Sequence, residues 1–199
     1  NGGTTMTSGA GNGSAVQIGA GAALAAPAAL TITDGATILN TDGGLILNAS
    51  AGGQGSYAQV GAGGGNLIGD LTNASTSVFA ASGAIDMDSG DNLGTFSQFG
   101  AGGTGVVGDK TGTATTVTFD GITMDGGVGD FSHSQIGAGG SSSGGGAITG
   151  DTSVTSTGVG AIMMTAGTGA SSGVQIGAGG NDADGDITSN TTVAAGGAI

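Results

Sequence analysis

Gln17-Ile18-Gly19-Ala20-Gly21 returns as Gln59-Val60-Gly61-Ala62-Gly63, Gln98-Phe99-Gly100-Ala101-Gly102, Gln135-Ile136-Gly137-Ala138-Gly139 and Gln175-Ile176-Gly177-Ala178-Gly179. The glutamines are 42, 39, 37 and 40 residues apart. Self-similarity at such a period marks a repeat architecture, in which each unit buries its apolar face only by stacking on its neighbours. Residues 1–199 therefore read as one array of five units, with 1–42 a partial or atypical first unit and 43–199 regular ones.

A second block keeps step with the first. Ile46, Ile85, Ile122 and Ile162 each lie 13 residues before the glutamine of their unit, and Met6, Met87, Met124 and Met164 each lie 11 before theirs. Asn48 holds the methionine place in the second unit. The five glutamines and four isoleucines are the expected structural repeat positions. A third block, Gly69-Asp70, Gly108-Asp109, Gly150-Asp151 and Gly185-Asp186, stands at varying distance from the isoleucine, so insertions are expected around it.

The segments between corners are short, β-branched and alternating, as in Thr116-Val117-Thr118-Phe119, which reads as strand. Gly supplies 49 residues, a content that helices avoid because each interior Gly costs roughly 1 kcal/mol against Ala. Collagen is excluded, since Gly has no three-residue period and Pro27 is the only proline. A hydrophobic content of 37% also sets the chain apart from ordinary disorder. The expected fold is all-β: a parallel β-helix, or β-solenoid, of about 40 residues per repeat. Each unit makes either one large coil of three or four strands or two smaller ones. One coil would stack the glutamines as a hydrogen-bonded amide ladder; two would hold them ~9.6 Å apart.

The unit Gly-Asp-x-Thr, Ile-x-Met, Tyr57-Ala58-Gln59-Val60-Gly61-Ala62-Gly63-Gly64 resembles repeats of filamentous haemagglutinin-like and autotransporter-type bacterial surface adhesins, with Gly185-Asp186-Ile187-Thr188 as the best match to their strand opening. The resemblance runs from about Gly43 to Ile199. It departs where Ala20, Ala62, Ala101, Ala138 and Ala178 replace a His common after Gln-Ile-Gly in that family, so no role tied to that His carries over. The resemblance implies a right-handed parallel β-helix at the bacterial cell surface or outside the cell, serving in adhesion or as a stalk.

Charge and composition narrow the chemistry. All 14 acidic residues are Asp, Lys110 is the only Lys or Arg, and the net charge is −13, which excludes nucleic acid as a partner because phosphate binding needs Lys and Arg. No segment approaches the ~20 apolar residues of a membrane span. Cys is absent. The chain begins and ends inside its own repeat, which fits a part of something longer. Catalysis has little material: His133 is the only imidazole, its neighbours Ser132 and Ser134 point away from it on a strand, and Ser-His-Ser reads as a solvated strand entry. Asp86 and Asp88 share a strand face as glycosidase carboxylates would, but no basic residue is nearby to bind an acidic sugar. Calcium is the one candidate cofactor, none being required, with Asp182, Asp184 and Asp186 as first-choice ligands and Asp86-Met87-Asp88-Ser89-Gly90-Asp91-Asn92 a similar run. Threonine pairs such as Thr31-Ile32-Thr33 and Thr155-Ser156-Thr157 read as ordinary strand rather than as a flat array for ice or glycan. Ala20 to Leu30 breaks the Gly-rich corner and reads as a longer insertion on the first coil.

The expected function is structural, not enzymatic: an adhesin stalk, sheath or fibre subunit. The alternative is a calcium- or glycan-binding surface module. Expected partners are further copies along the solenoid axis, through unpaired end strands, and a glycan or host cell-surface receptor.

Overall fold

A computed structural model describes residues 2–49, 53–141, 146–181 and 183–199, with the side chains of 22–28 outside the description. Every described element is a strand, and every pairing between strands is parallel. The chain is a β-solenoid in which one sequence unit makes one coil.

Each coil passes through four sheets. The methionine sheet stacks Thr4–Thr7, Leu45–Asn48, Ala84–Asp88, Gly121–Asp125 and Ile162–Thr165 in that order. The glutamine sheet stacks Ala15–Ile18, Tyr57–Val60, Phe96–Phe99, His133–Ile136 and Gly173–Ile176. A glycine sheet of Gly21–Ala29, Gly63–Ile68 and Gly102–Thr104 follows the corner, then continues as single bridges at Gly139 and Gly179. The threonine sheet holds Ala36–Thr41, Ser75–Ala80, Lys110–Phe119, Ile148–Ser156 and Thr191–Ala194, with the short strands Ile32–Thr33, Leu71–Thr72 and Ile187–Thr188. Three strands were the minimum expected per coil; the glycine strand is the fourth.

The main core lies between the methionine, glutamine and threonine sheets. Leu47, Met87 and Met124 face Val60, Phe99 and Ile136 and Val78, Val117 and Val154, all buried. A second cluster of Ile32, Leu67, Leu71, Ala74 and Val106 fills the space beneath the glycine strands. The glutamine strands of the three middle coils are buried on both faces: Ala58 and Val60 belong to the main core, while Tyr57 lies against the glycine strand at Gly65. That double burial needs strands with almost no charge, which this composition provides.

The isoleucine column needs one correction. It runs Leu45, Ile85, Ile122, Ile162, and Ile46 instead pairs with Asp86 on the outer face, 42% exposed. Leu47, not Asn48, takes the methionine place. The span from Asn48 to Tyr57 is one residue longer than that from Asp88 to Phe96. Because strand side chains alternate, a one-residue offset moves every side chain to the other face. Counting back from the glutamine therefore lands on the wrong face in this unit.

The Gly-Asp block is corrected too. Leu71, Lys110, Ile148 and Ile187 form one column, so Gly146-Ala147, not Gly150-Asp151, stands where Gly69-Asp70 and Gly108-Asp109 do. The first-coil insertion appears as a register shift between Ala23 and Ala28, where coil two advances only from Gly65 to Leu67. Those three extra residues turn a step of 39 into one of 42.

Candidate functional site: polar ladders and an outer groove

Gln17, Gln59, Gln98, Gln135 and Gln175 stand in direct register, one per coil. Their amides do not chiefly bond each other, as the ladder expected from stacking would. Gln59 Nε2 reaches Gln98 Oε1 only at 3.5 Å. The regular bond goes to a backbone carbonyl one coil on: Gln17 to Gly61, Gln59 to Gly100, Gln98 to Gly137 and Gln135 to Gly177, each with Nε2 donating at 3.1 Å. The second amide hydrogen reaches toward the Ala three residues ahead, as from Gln135 to Ala138 at 3.2 Å. The amide thus satisfies carbonyls that the corner turns inward.

The corner explains its own sequence. Gly61, Gly100 and Gly137 have φ of 143°, 137° and 136°, a region where a side chain is strained. A Cβ on Gly100 would also collide with the Gly137 carbonyl of the next coil and lie 2.9 Å from Thr115 Oγ1. That threonine belongs to a column the sequence reading missed. Thr37, Thr76, Thr115, Thr152 and Thr191 stack in register, with the first four buried. Its signal was the recurrent Thr-x-Val/Leu of Thr37-Ile38-Leu39, Thr76-Ser77-Val78, Thr115-Thr116-Val117, Thr152-Ser153-Val154 and Thr191-Thr192-Val193. Its distance from the glutamine changes in the first and last units, which hid it.

The two basic side chains are both enclosed. His133 is 5% exposed, its Nε2 lies 3.3 Å from Gln135 Oε1, and burial holds its pKa below the usual value, with the Gln135 bond opposing. Ser132 and Ser134 are buried as well, so Ser-His-Ser is not a solvated entry. Ser132 Oγ donates to the Gly126 carbonyl at 2.8 Å and Ser134 Oγ to that of Asp125, which leaves no Ser–His pair. Lys110 is fully buried within the column of Leu71 and Ile148. Its Nζ donates to the carbonyls of Gly108 at 3.0 Å and Val106 at 3.3 Å. Burial pushes its pKa down, against the pull of Asp109, Asp184 and Asp70.

Asp182 lies outside the described residues. Asp184 and Asp186 are exposed, and Asp184 acts electrostatically on Lys110. Among the described residues no three His or Asp side chains converge as metal ligands would. Asp88 and Asp125, adjacent on the outer face of the methionine sheet, each cap the turn that follows by accepting from Gly90 N at 2.7 Å and Gly127 N at 2.8 Å. Partial burial raises the pKa of Asp88, opposed by the Gly90 bond and reinforced by Asp125, Asp91 and Asp86.

Asp86 is placed differently. It lines an outer groove of about 520 Å3 with Thr5, Ile46, Ala84 and a floor of Gly3, Gly44 and Gly83. The glycines leave backbone bare there, while Ile46 supplies an apolar wall and Asp86 and Thr5 supply polar groups. Asp88 is committed to Gly90 and does not line the groove. The carboxylate pair that glycoside hydrolysis uses is therefore not assembled in it. No family model, curated protein or solved structure matches the chain.

Proposed function

We propose that this chain is a structural shaft: a non-enzymatic solenoid segment of an extracellular or bacterial cell-surface protein, acting as adhesin stalk, sheath or fibre subunit. One observation carries the reading: the buried glutamines are spent on holding coil to coil, and the enclosed Ser132, His133 and Lys110 side chains on contacts within their own coil. The glutamines clamp the next corner, the serines cap turns, and the imidazole and ammonium are enclosed by amide and carbonyl groups. Such groups are unavailable for turnover. They give a rod whose rigidity repeats at every coil. Wherever such an array ends without a cap, its last strands have a neighbour on one side only, and unpaired edges of this kind favour further copies along the axis. Sedimentation over a range of concentrations tests this. Axial oligomers are expected, and a monomer throughout would remove the fibre form.

A second reading, a glycan-binding surface module, draws on the groove at Asp86. A sugar would lay its apolar face on Ile46 and donate hydroxyls to Asp86. Glycan-array binding that Asp86→Asn abolishes would favour it over a bare shaft. A calcium-dependent rise in melting temperature would do the same for the Asp184–Asp186 loop.

A further inference from the structure

The position two residues before each glutamine forms a column of its own: Ala15, Tyr57, Phe96, His133, Gly173. The Tyr57 and Phe96 rings stack with centroids 5.0 Å apart and planes inclined by 17°. His133 is next in register. The column then stops at Gly173, and that glycine is unlike those of the corners. Its backbone is outside the left-handed region, and a Cβ on it would meet nothing within 4 Å. Neither conformation nor crowding requires glycine here. What its missing side chain does is open a cavity of about 180 Å3 beside His133, lined also by Ser171, Val174, Gln175 and Asn181. Asn181 Nδ2 is buried without a hydrogen-bond partner, a costly state for a donor.

We propose that this cavity is a binding site for one planar aromatic ring carrying a hydrogen-bond acceptor on its edge, phenol being the simplest such ligand. The volume suits one ring, since roughly 150 Å3 takes benzene, and the mostly polar lining suits a ring that carries a polar group. The ring stacks on the imidazole of His133 and continues the order set by Tyr57 and Phe96. Asn181 Nδ2 donates to the acceptor on the ring edge, which satisfies the buried amide. The ligand is either a free phenolic molecule or the tyrosine side chain of another polypeptide; both offer the same group. The site stands apart from the shaft reading and survives if that reading fails.

The single histidine makes the test direct, because its imidazole signals are unambiguous in a nitrogen-15 spectrum. The full chain is titrated at neutral pH with phenol, N-acetyl-tyrosinamide and cyclohexanol. Saturable movement of the His133 signals with phenol but not cyclohexanol is expected. Response to the blocked tyrosine as well assigns a protein side chain as the source; response to phenol alone assigns a small molecule. Gly173→Phe, which plugs the site from within, is expected to raise the melting temperature and abolish the response, and Gly173→Leu serves as the smaller plug if the Phe variant does not fold. Asn181→Leu is expected to weaken phenol several-fold and leave benzene unchanged. An absent or unsaturable phenol response, an equal response to cyclohexanol, or an undiminished one in the plugged variant overturns the proposal.

Discussion

Replacing Gln98 by leucine tests the clamp where it is most enclosed. Gln98 is fully buried in the middle coil. Its Nε2 donates to the Gly137 carbonyl at 3.1 Å and, more weakly, to Ala101 at 3.5 Å, and its Oε1 receives Gln59 at 3.5 Å. Leucine has a similar volume and no donor, so the Gly137 carbonyl is left buried without this partner. An orphaned buried group costs about 1–3 kcal/mol, and the two contacts at 3.5 Å add little because such long bonds are weak. The added apolar character of leucine offsets part of the loss, at about 25 cal/mol per Å2. A net loss of about 2 kcal/mol is expected, which for a chain of this length lowers the melting temperature by roughly 4–8 °C. Urea unfolding followed by circular dichroism measures it, with an unchanged slope showing that the folded coil is retained. Gln175→Leu is the internal control. That residue is half-buried in the last coil and donates to Ala178 at 2.8 Å in its own coil, so its loss should stay below about 1 kcal/mol. If the two substitutions cost the same, or Gln98→Leu costs less than about 0.5 kcal/mol, the clamp is not what holds the corner.

Lys110→Met should stabilise the chain by about 1–4 kcal/mol, because an apolar side chain then replaces a buried ammonium between Leu71 and Ile148; thermal melting decides, and a fall would show that the two carbonyl bonds outweigh the desolvation. Burial lowers the pKa of His133, so the unfolded chain binds more protons just below pH 6.5 and stability is lost as pH falls through that window; His133→Phe should flatten this slope in urea melts taken across it. Asp88 opposes this, since its raised pKa returns stability as pH falls toward 3.8, and Asp88→Asn should therefore steepen the acid loss. Ser171→Gly should raise stability by up to about 1 kcal/mol in the same urea assay, since Ser171 has φ of 56° where the first three coils place Gly13, Gly55 and Gly94 at 66–67°.

The array, its period and its parallel stacking were legible because the glutamine corner is nearly invariant from unit to unit. One residue type there serves the fold in two ways, and both restrict the sequence: Gly100 is fixed by its φ and by the approach of Gly137. The threonine column escaped notice for the opposite reason. Any β-branched residue suits a strand, so Thr76 and Thr115 look ordinary until register places them side by side. Ile46 misled because spacing counts residues and not faces. Only burial separates it from Leu45. The groove at Asp86 and the cavity beside His133 were not legible at all. The groove brings together Gly3, Gly44 and Gly83 of three coils, and the cavity sets Gly173 of the last coil beside His133 of the one before, juxtapositions with no signature until the coils are stacked.

The distribution of insertions follows from the same forces. From Asn40, Phe79, Thr118 and Thr155 on the threonine sheet to Leu45, Ile85, Ile122 and Ile162 on the methionine sheet, the chain takes 5, 6, 4 and 7 residues. Variation thus gathers at that corner rather than at the Gly-Asp block alone. From each glutamine to the glycine that accepts the clamp of the preceding coil, the count is always two. A loop that bonds mainly to solvent pays only slowly rising closure entropy for extra residues. A corner whose carbonyl must meet an amide at 3.1 Å has no such freedom. One coil therefore holds a fixed corner and a tolerant one. Sequence can diverge at the tolerant corner and on the outer faces while the stack of coils keeps its register.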